Sequence, residues 1–382
     1  MNLSYKVILP GQTIGIIGGG QLGRMMALAA KAMGYSIAVL DPVDDSPCGQ
    51  VADIKIIGDY GDIQAIKKLA EVSDVITYEF ENIDAPALEW LCQHAFVPQG
   101  KSLLEISQDR VNEKTAIEAA GVKVAPFAVI ETYKDLLAGV DSLGLPAVLK
   151  TARGGYDGKG QAVIRNMQDI ESAVILLEHG RCVLEKWIPF KKEISVIITR
   201  NGLGDTAVFP VAENIHRDNI LHQTIVPARI SAEAEELAIK AAVRLANEFQ
   251  LIGTLAVEMF LTEDDMIYIN ELAPRPHNTG HCTIEACVTS QFEQHIRAVC
   301  SLPLGSTELL KPALMVNILG EHVKTVLDYL PRTAEWKVHF YGKDEAKVKR
   351  KMGHITILCD SIEEAIIDVN EIWEEKHLEA KR

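Results

Sequence analysis

Apolar and polar positions follow two rhythms along this chain. From residue 13 to about residue 99, the short β-branched and aliphatic runs TIGII, SIAVL and DVITYEF alternate with helix-spaced segments that begin near Gln21, Asp62 and Pro86. Strands that regularly give way to helices predict parallel βαβ units. Asp109 is placed to accept the free amides of a helix over 110–120, which Gly121 can end. A second unit follows, with strands FAVI, PAVLK and QAVIR around a glycine-rich turn at 153–160, then the apolar run CVLEKWI. A third holds EISVIIT, TAVFPVA, a long helix over 232–249 and a hairpin, LAVEMFLTEDDMIYINEL, over 255–272. Past Pro312, ALMVNIL, EWKVHF and HITILCD alternate with helices, and an acidic amphipathic helix from Ile362 comes last. No internal repeat or low-complexity linker interrupts this order, so packed units are expected, divided at 1–108, 109–187, 188–310 and 311–382.

Composition narrows the partners. A formal charge of -15 over 382 residues, with the two signs mixed, leaves no basic stripe for nucleic acid, although a few local cations can still hold a small anion. The seven cysteines are scattered and lack the CxxC spacing of a zinc or redox site, which fits a reducing cytoplasm. No stretch approaches the roughly 18 apolar residues of a membrane span, and residues 1–12 carry one Lys and no apolar core, so neither export nor anchoring is expected.

Five segments carry chemistry. Gly18, Gly20 and Gly23 form GGGQLG between a strand and a helix, where free backbone amides at a positive helix end can receive a phosphate. Asp41 ends the next strand 18 residues beyond Gly23 and mimics the ribose-binding acid of a nicotinamide site. The second glycine cluster, RGGYDGKG, follows the strand that ends in Lys150; its amides can close over a polyphosphate while Lys150 and Lys159 supply positive charge. It is not a Walker loop, because Gly160 follows Lys159 where Ser or Thr is required.

The hairpin permits the sharpest inference. With Asp264 and Asp265 as the two turn residues, opposed positions sum to 529, and Glu258 lies across from Glu271 on one face. Two carboxylates about 5 Å apart repel each other unless a cation or a shared proton intervenes, and magnesium bridging nucleotide phosphates meets that need. Asn270 would pair with Met259 and face the other way unless the strand bulges. The next loop, APRPHNTGH, is stiffened by two prolines and offers Arg275, His277, Asn278 and His281 to a small oxyanion; Gly280 breaks any helix that could make His277 and His281 a zinc pair. Lys343, Lys347, Lys349, Arg350 and Lys351 form the one dense basic run, suited to a phosphate monoester.

Together IIGGGQLGRMM, YEFENI, KTARGGYDGKGQ, EKWIPFKKEISV, NELAPRPHNTGH and RKMGHI resemble, in order and spacing, the carboxyaminoimidazole ribonucleotide synthetases of the ATP-grasp superfamily, over nearly the whole chain. The resemblance implies an α/β chain with an ATP-grasp fold: an N-terminal Rossmann-like domain, a mobile α+β lid and a C-terminal α+β domain. It gives the first glycine turn to aminoimidazole ribonucleotide rather than to NAD, through Gly20, Gln21 and Leu22, with Glu79 or Glu81 nearby. ATP would meet Arg110, Lys150, the loop Gly155, Tyr156, Asp157, Gly158, Lys159, Gly160 and Gln161, the hinge Glu185, Lys186, Trp187 and Ile188, then Glu193, His216, Asn270 and Glu271. Glu258 and Glu271 match the magnesium ligands; Lys343, Arg350 and Lys351 match the substrate 5′-phosphate site. Tyr156, Asp157 and Lys159 fall where imidazole and bicarbonate react, Arg275, His277 and Asn278 suit bicarbonate, and Asp157 could handle the amine proton. The implied reaction carboxylates 5-aminoimidazole ribonucleotide with ATP and bicarbonate, through carboxyphosphate, in a homodimer. Three other readings compete: a glycinamide ribonucleotide formyl-transferring ligase of the same superfamily, a nicotinamide-dependent oxidoreductase using Asp41, and a nucleotide-binding regulator without turnover.

Overall fold

The computed structural model describes residues 6–155 and 158–379, which places Tyr156 and Asp157 outside the described residues. In the first unit the strand and helix rhythm folds as β1 (Thr13–Ile17), α1 (Gln21–Ala32), β2 (Ser36–Asp41), β3 (Ile54–Ile57), α2 (Ile63–Val72), β4 (Val75–Tyr78) and α3 (Ala85–His94). The four strands form a parallel sheet in the order β3-β2-β1-β4. β3 is absent from the sequence reading because three of its four residues are exposed, and an edge strand with one buried side chain carries no alternation signal.

α4 (Ser102–Ser107) and α5 (Arg110–Ala119) lead into the second unit. Asp109 caps α5 by accepting from the amides of Val111 and Asn112, and Gly121, at φ +71°, turns the chain out of it. β5 (Phe127–Ile130), α6 (Tyr133–Leu143), β6 (Ala147–Thr151), β7 (Gln161–Ile164), α7 (Asp169–Ala173) and β8 (Cys182–Lys186) follow, and the antiparallel sheet runs β5-β8-β6-β7. Its own core of Ile130, Leu136, Leu149, Ile164 and Leu184 lets this lid hold its shape while standing over the central sheet.

Among the described residues that central sheet has nine strands. β9 (Phe190–Arg200), β10 (Thr206–Val208), β11 (Ala212–Arg217), β12 (Ile220–Val226), α8 (Ala232–Glu248), β13 (Gly253–Thr262), β14 (Ile267–Ala273), α9 (Thr283–Ala286), α10 (Gln291–Val299), β15 (Ala313–Leu319), α11 (Val323–Tyr329), β16 (Trp336–Phe340), β17 (Lys351–Leu358) and α12 (Ile362–Glu379) complete the chain. The order is β14-β13-β9-β11-β12-β15-β17-β16, with β10 on the far end of β9. The segment TAVFPVA is therefore not one strand. It breaks at Pro210, which lacks the amide a ladder needs, and its second half becomes a hairpin with β12 around Asp218 and Asn219, both at positive φ. β12 pairs with β15, so the last strands extend the central sheet and bring Lys351 toward its middle. On one face α8 lays Ala234, Ala238, Ala242 and Leu245 against Val196, Val257 and Ile269; the small residues allow close approach.

The first glycine turn is tight for a local reason: a Cβ on Gly23 would stand 2.7 Å from the carbonyl oxygen of Gly18. Gly23→Ala should therefore cost about 1–3 kcal/mol through overpacking, read as a lower calorimetric unfolding midpoint. An unchanged midpoint would show that the turn has room.

Candidate active site

A cavity of about 790 Å³ opens between the lid and the central sheet. From the lid come Lys150 of β6, Gly155, Gly158 and Lys159 of the glycine loop, Gln161 of β7, and the segment 185–188 that ends β8. From the central sheet come Glu193, His216, Glu258, Asn270 and Glu271, and from the loop after β14 come Arg275, His277 and Asn278. Arg110, Glu81 and Lys351 close the wall. The lid loop lies against the hairpin turn of the central sheet, where a Cβ on Gly158 would meet Asn219 at 2.7 Å.

The floor is the ribbon β13–β14, in which Glu258 pairs with Glu271. The expected two-residue turn is not what sets this register. The amide of Asp265 donates to the carbonyl of Thr262, and that of Thr262 to the carbonyl of Met266, which makes a three-residue loop with Asp265 at φ +59°. Distal pairs such as Phe260 with Tyr268 accordingly sum to 528. A bulge between Glu258 and Met259 then absorbs Asn270 as an extra residue and restores 529 at the two acids. The same bulge turns Asn270 into the cavity, where its Oδ1 lies 3.4 Å from Lys150 Nζ, so the unbulged expectation that it faces away is corrected.

Charge around the pair is uneven. Glu271 Oε2 lies 3.2 Å from Arg110 Nη1; burial pushes the Glu271 carboxyl up, but Arg110 and Lys150 overcome this and hold it below the usual range. Glu258 Oε1 lies 3.3 Å from His277 Nε2, and burial together with the charge of Glu271 raises its carboxyl. Burial and the nearby Arg275 hold His277 well below the ordinary histidine value, so it faces Glu258 as neutral imidazole. A raised carboxyl opposite a lowered one is what two acids sharing one desolvated site must show. The pair fits a divalent cation. Magnesium is one such ion: it takes one or two carboxylates and completes its shell with phosphates and water.

Above the floor, Glu185 Oε2 receives two ammonium groups, Lys150 Nζ at 3.1 Å and Lys114 Nζ at 3.2 Å. Burial would raise Glu185, but Lys150 and Lys114 hold it down at about 2. Two cations on one carboxylate leave net positive charge beneath the glycine loop, whose Gly155 carbonyl accepts from Arg110 Nη2 at 3.3 Å. At the hinge, the amides of Lys186 and Trp187 donate to the carbonyls of Pro126 and Pro146. At the other end of the cavity, Glu193 Oε2 lies 3.3 Å from His216 Nδ1, and this contact outweighs burial to raise the imidazole. Arg275 Nη2 pairs with Glu81 Oε1 at 2.7 Å, while Arg275 Nε and both polar atoms of Asn278 are buried without a partner among the described residues. Such orphaned groups are costly unless a small polar ligand or water answers them.

The remaining expected site residues stand outside the cavity lining. Gly160, Gly20, Gln21, Leu22, Glu79, Lys343 and Arg350 do not line the cavity. The amides at the start of α1, expected to be free for a phosphate, are answered from within the chain. Gly19 donates to Asp41 Oδ2 at 2.6 Å, Gly23 to Glu79 Oε2 at 2.6 Å, and Gly20 to Glu79 Oε1. Asp41 also accepts from Tyr60 Oη at 2.7 Å and is buried, so it cannot serve a nicotinamide ribose. Leu22 packs into the N-terminal core. Lys343 donates to the carbonyl of Lys351 at 2.8 Å beside the Tyr341 ring, and Arg350 donates to the carbonyl of Glu345.

Three buried residues of the site went unread in the sequence: Lys114, Glu113 and Gln291. Gln291 grips the backbone of His277 from both sides, accepting its amide at 2.9 Å and donating to its carbonyl at 2.6 Å. Glu113, whose carboxyl is pushed up to about 8 by burial and by Glu271, accepts the amide of Leu272 at 2.8 Å. Their partners lie from 14 to 159 residues away, beyond the reach of local periodicity.

Known proteins bear on this geometry. Residues 11–108 match the ribonucleotide synthetase preATP-grasp domain, 115–292 the ATP-grasp domain, and 313–367 the phosphoribosylaminoimidazole carboxylase C-terminal domain. The N5-carboxyaminoimidazole ribonucleotide synthase of Bacillus subtilis is 57% identical over 371 residues, covering 97% of this chain and 98% of the relative. The structure of N5-carboxyaminoimidazole synthetase from Staphylococcus aureus complexed with ADP superposes with a TM-score of 0.94 at 44% identity, over 98% of this chain and all (100%) of that one. An Aspergillus clavatus N5-carboxyaminoimidazole synthase in complex with ADP and 5-aminoimidazole ribonucleotide gives 0.89 at 32%, over 95% and 98% of the two chains. With this similarity running the length of the chain and the ATP-grasp cavity beneath its lid, the chain belongs to the N5-carboxyaminoimidazole ribonucleotide synthase family of ATP-dependent ligases.

Proposed function

We propose that this cavity converts ATP, bicarbonate and 5-aminoimidazole ribonucleotide into N5-carboxyaminoimidazole ribonucleotide, ADP and phosphate, a step of purine biosynthesis. The observation that carries the reading is the pair Glu258 and Glu271, opposed on one ribbon beneath Arg110 and Lys150. Bicarbonate is a poor electrophile, so its oxygen must first take the γ-phosphoryl group as the bond to ADP breaks, which gives the carboxyl carbon a phosphate leaving group. A magnesium ion held by the two carboxylates and the nucleotide phosphates would neutralise charge on that group. Lys150, Arg110 and the amides of the glycine loop face the same phosphates, and the backbone around Ile188 reads the adenine edge. Glu193 accepts the ribose hydroxyls, with His216 setting its orientation.

Bicarbonate is assigned to the orphaned Arg275 Nε and the Asn278 amide, beside the neutral His277. The exocyclic amine of the ribonucleotide attacks the activated carbon, phosphate leaves, and the amine proton passes to a base. Closure of the lid excludes water, which otherwise hydrolyses the acyl phosphate. The substrate 5′-phosphate is assigned to Lys351, supported by Lys343 and Arg350. A homodimer and a cytoplasmic location complete the reading, and among the described residues no helix is long and apolar enough to cross a membrane. Elution at twice the chain's mass in gel filtration checks the dimer.

Glu271→Gln should lower phosphate release by more than about 100-fold, beyond the usual loss for groups that only support a metal ligand, with an unchanged melting point. Normal turnover in that variant would refute its metal role. Phosphate release from magnesium-ATP and bicarbonate should rise on adding 5-aminoimidazole ribonucleotide and stay flat with glycinamide ribonucleotide and formate; the reverse pattern would transfer the chain's substrate to the formyl-transferring reaction. Burial, with Arg350 alongside, lowers the Lys343 ammonium to about 8, so its charge is present below that pH and lost above it. The KM for the ribonucleotide should therefore climb as pH rises through about 8 while the KM for ATP holds, and Lys343→Met should raise the former below about pH 8 and flatten its profile. Parallel changes in both constants would remove Lys343 from the phosphate site.

A further inference from the structure

β14 stands at the edge of the central sheet, so one side of its backbone has no neighbouring strand among the described residues. An edge strand that also bulges is free to slip, and slippage by one residue reverses which side chains face the cavity. This one is tied at two points. The amide of Ile269 donates to the carbonyl of Lys123 at 2.8 Å, and the amide of Leu272 donates to Glu113 Oε1 at 2.8 Å. Between the ties lie Asn270 and Glu271, the two residues that the bulge turns into the cavity. Glu113 sits in the first turn of α5 and is buried, yet its carboxyl reaches across to a strand 159 residues away. Arg110, the first residue of the same helix, takes the carboxylate of Glu271. A buried carboxyl is an expensive group to keep unless its hydrogen bond secures something.

We propose that Glu113 is a positioning residue for the cation site: by accepting the Leu272 amide it holds the bulge open, which sets Glu271 opposite Glu258 with Asn270 beside it. This rests on the metal reading of Glu258 and Glu271. Glu113 also lines the cavity, and in this role it acts through the backbone of β14.

The test uses Mn²⁺ as the probe, with ADP present, and reads free Mn²⁺ by its paramagnetic resonance signal. Glu113→Leu removes the acceptor at similar volume, whereas Glu113→Gln keeps a carbonyl oxygen at the same reach. The leucine variant should bind Mn²⁺ at least about tenfold more weakly, the glutamine variant within about twofold of the parent, and metal-free ADP affinity should move by less than about twofold in both. Parent-like Mn²⁺ binding by the leucine variant overturns the proposal. So does an equal loss in the glutamine variant, which would make charge rather than the acceptor decisive, or an equal loss of metal-free ADP binding, which would mean general damage. If the leucine variant does not fold, Glu113→Asp, one methylene too short to reach the amide, replaces it with the same expected outcomes. Glu271→Gln runs alongside: parent-like Mn²⁺ binding there brings down the metal assignment itself, whereas failure confined to the Glu113 variants leaves that assignment standing.

Discussion

Two carboxylates held face to face in a desolvated cavity govern much of the surrounding structure. Glu258 and Glu271 are adjacent on neighbouring strands, and their repulsion grows as water leaves. The protein meets it unequally. Arg110 and Lys150 stand on the side of Glu271, which stays ionised, while Glu258 faces a histidine kept neutral by burial and carries the raised carboxyl. A divalent cation beside a polyphosphate would satisfy both acids at once, so nucleotide binding and relief of the repulsion become one event.

The lid contributes the opposite sign. Lys114 and Lys150 converge on a single oxygen of Glu185, deep enough that solvent does not screen them. A buried pair of this kind adds little to stability by itself, because desolvation consumes most of the Coulomb gain. A second cation on the same carboxylate is therefore better understood as binding potential: positive charge stored under the glycine loop and directed at phosphates. Acidic floor and basic roof then face each other across the space where a magnesium-nucleotide would bring both charges.

The first glycine turn illustrates how a nucleotide-like pattern can be filled from within. A strand, three glycines and a helix start offer amides to an anion, and here Asp41 and Glu79 are those anions. Desolvation raises the Glu79 carboxyl in spite of its two amide donors, and the short distances leave no space for a pyrophosphate between acid and helix. Glu81, two residues on from Glu79, points instead into the cavity and binds Arg275, so this strand end serves both the N-terminal helix and the active site.

Sequence by itself determined the local pieces: the alternating strands and helices, the cap at Asp109, the glycine loop after Lys150, and the acids and cations now gathered around one cavity. These were legible because periodicity, capping and residue chemistry are short-range properties. The opposition of Glu258 and Glu271 was also legible, though by a register argument in which an extra turn residue and the bulge at Asn270 cancel. Tertiary structure alone decided the rest. Glu113 holding Leu272, Lys114 reaching Glu185, Gln291 clamping His277 and the internal occupation of the first glycine turn join residues on different elements, from 14 to 159 positions apart. Such contacts depend on which surfaces finally pack together, and a buried polar group finds its partner only after hydrophobic burial has set that packing.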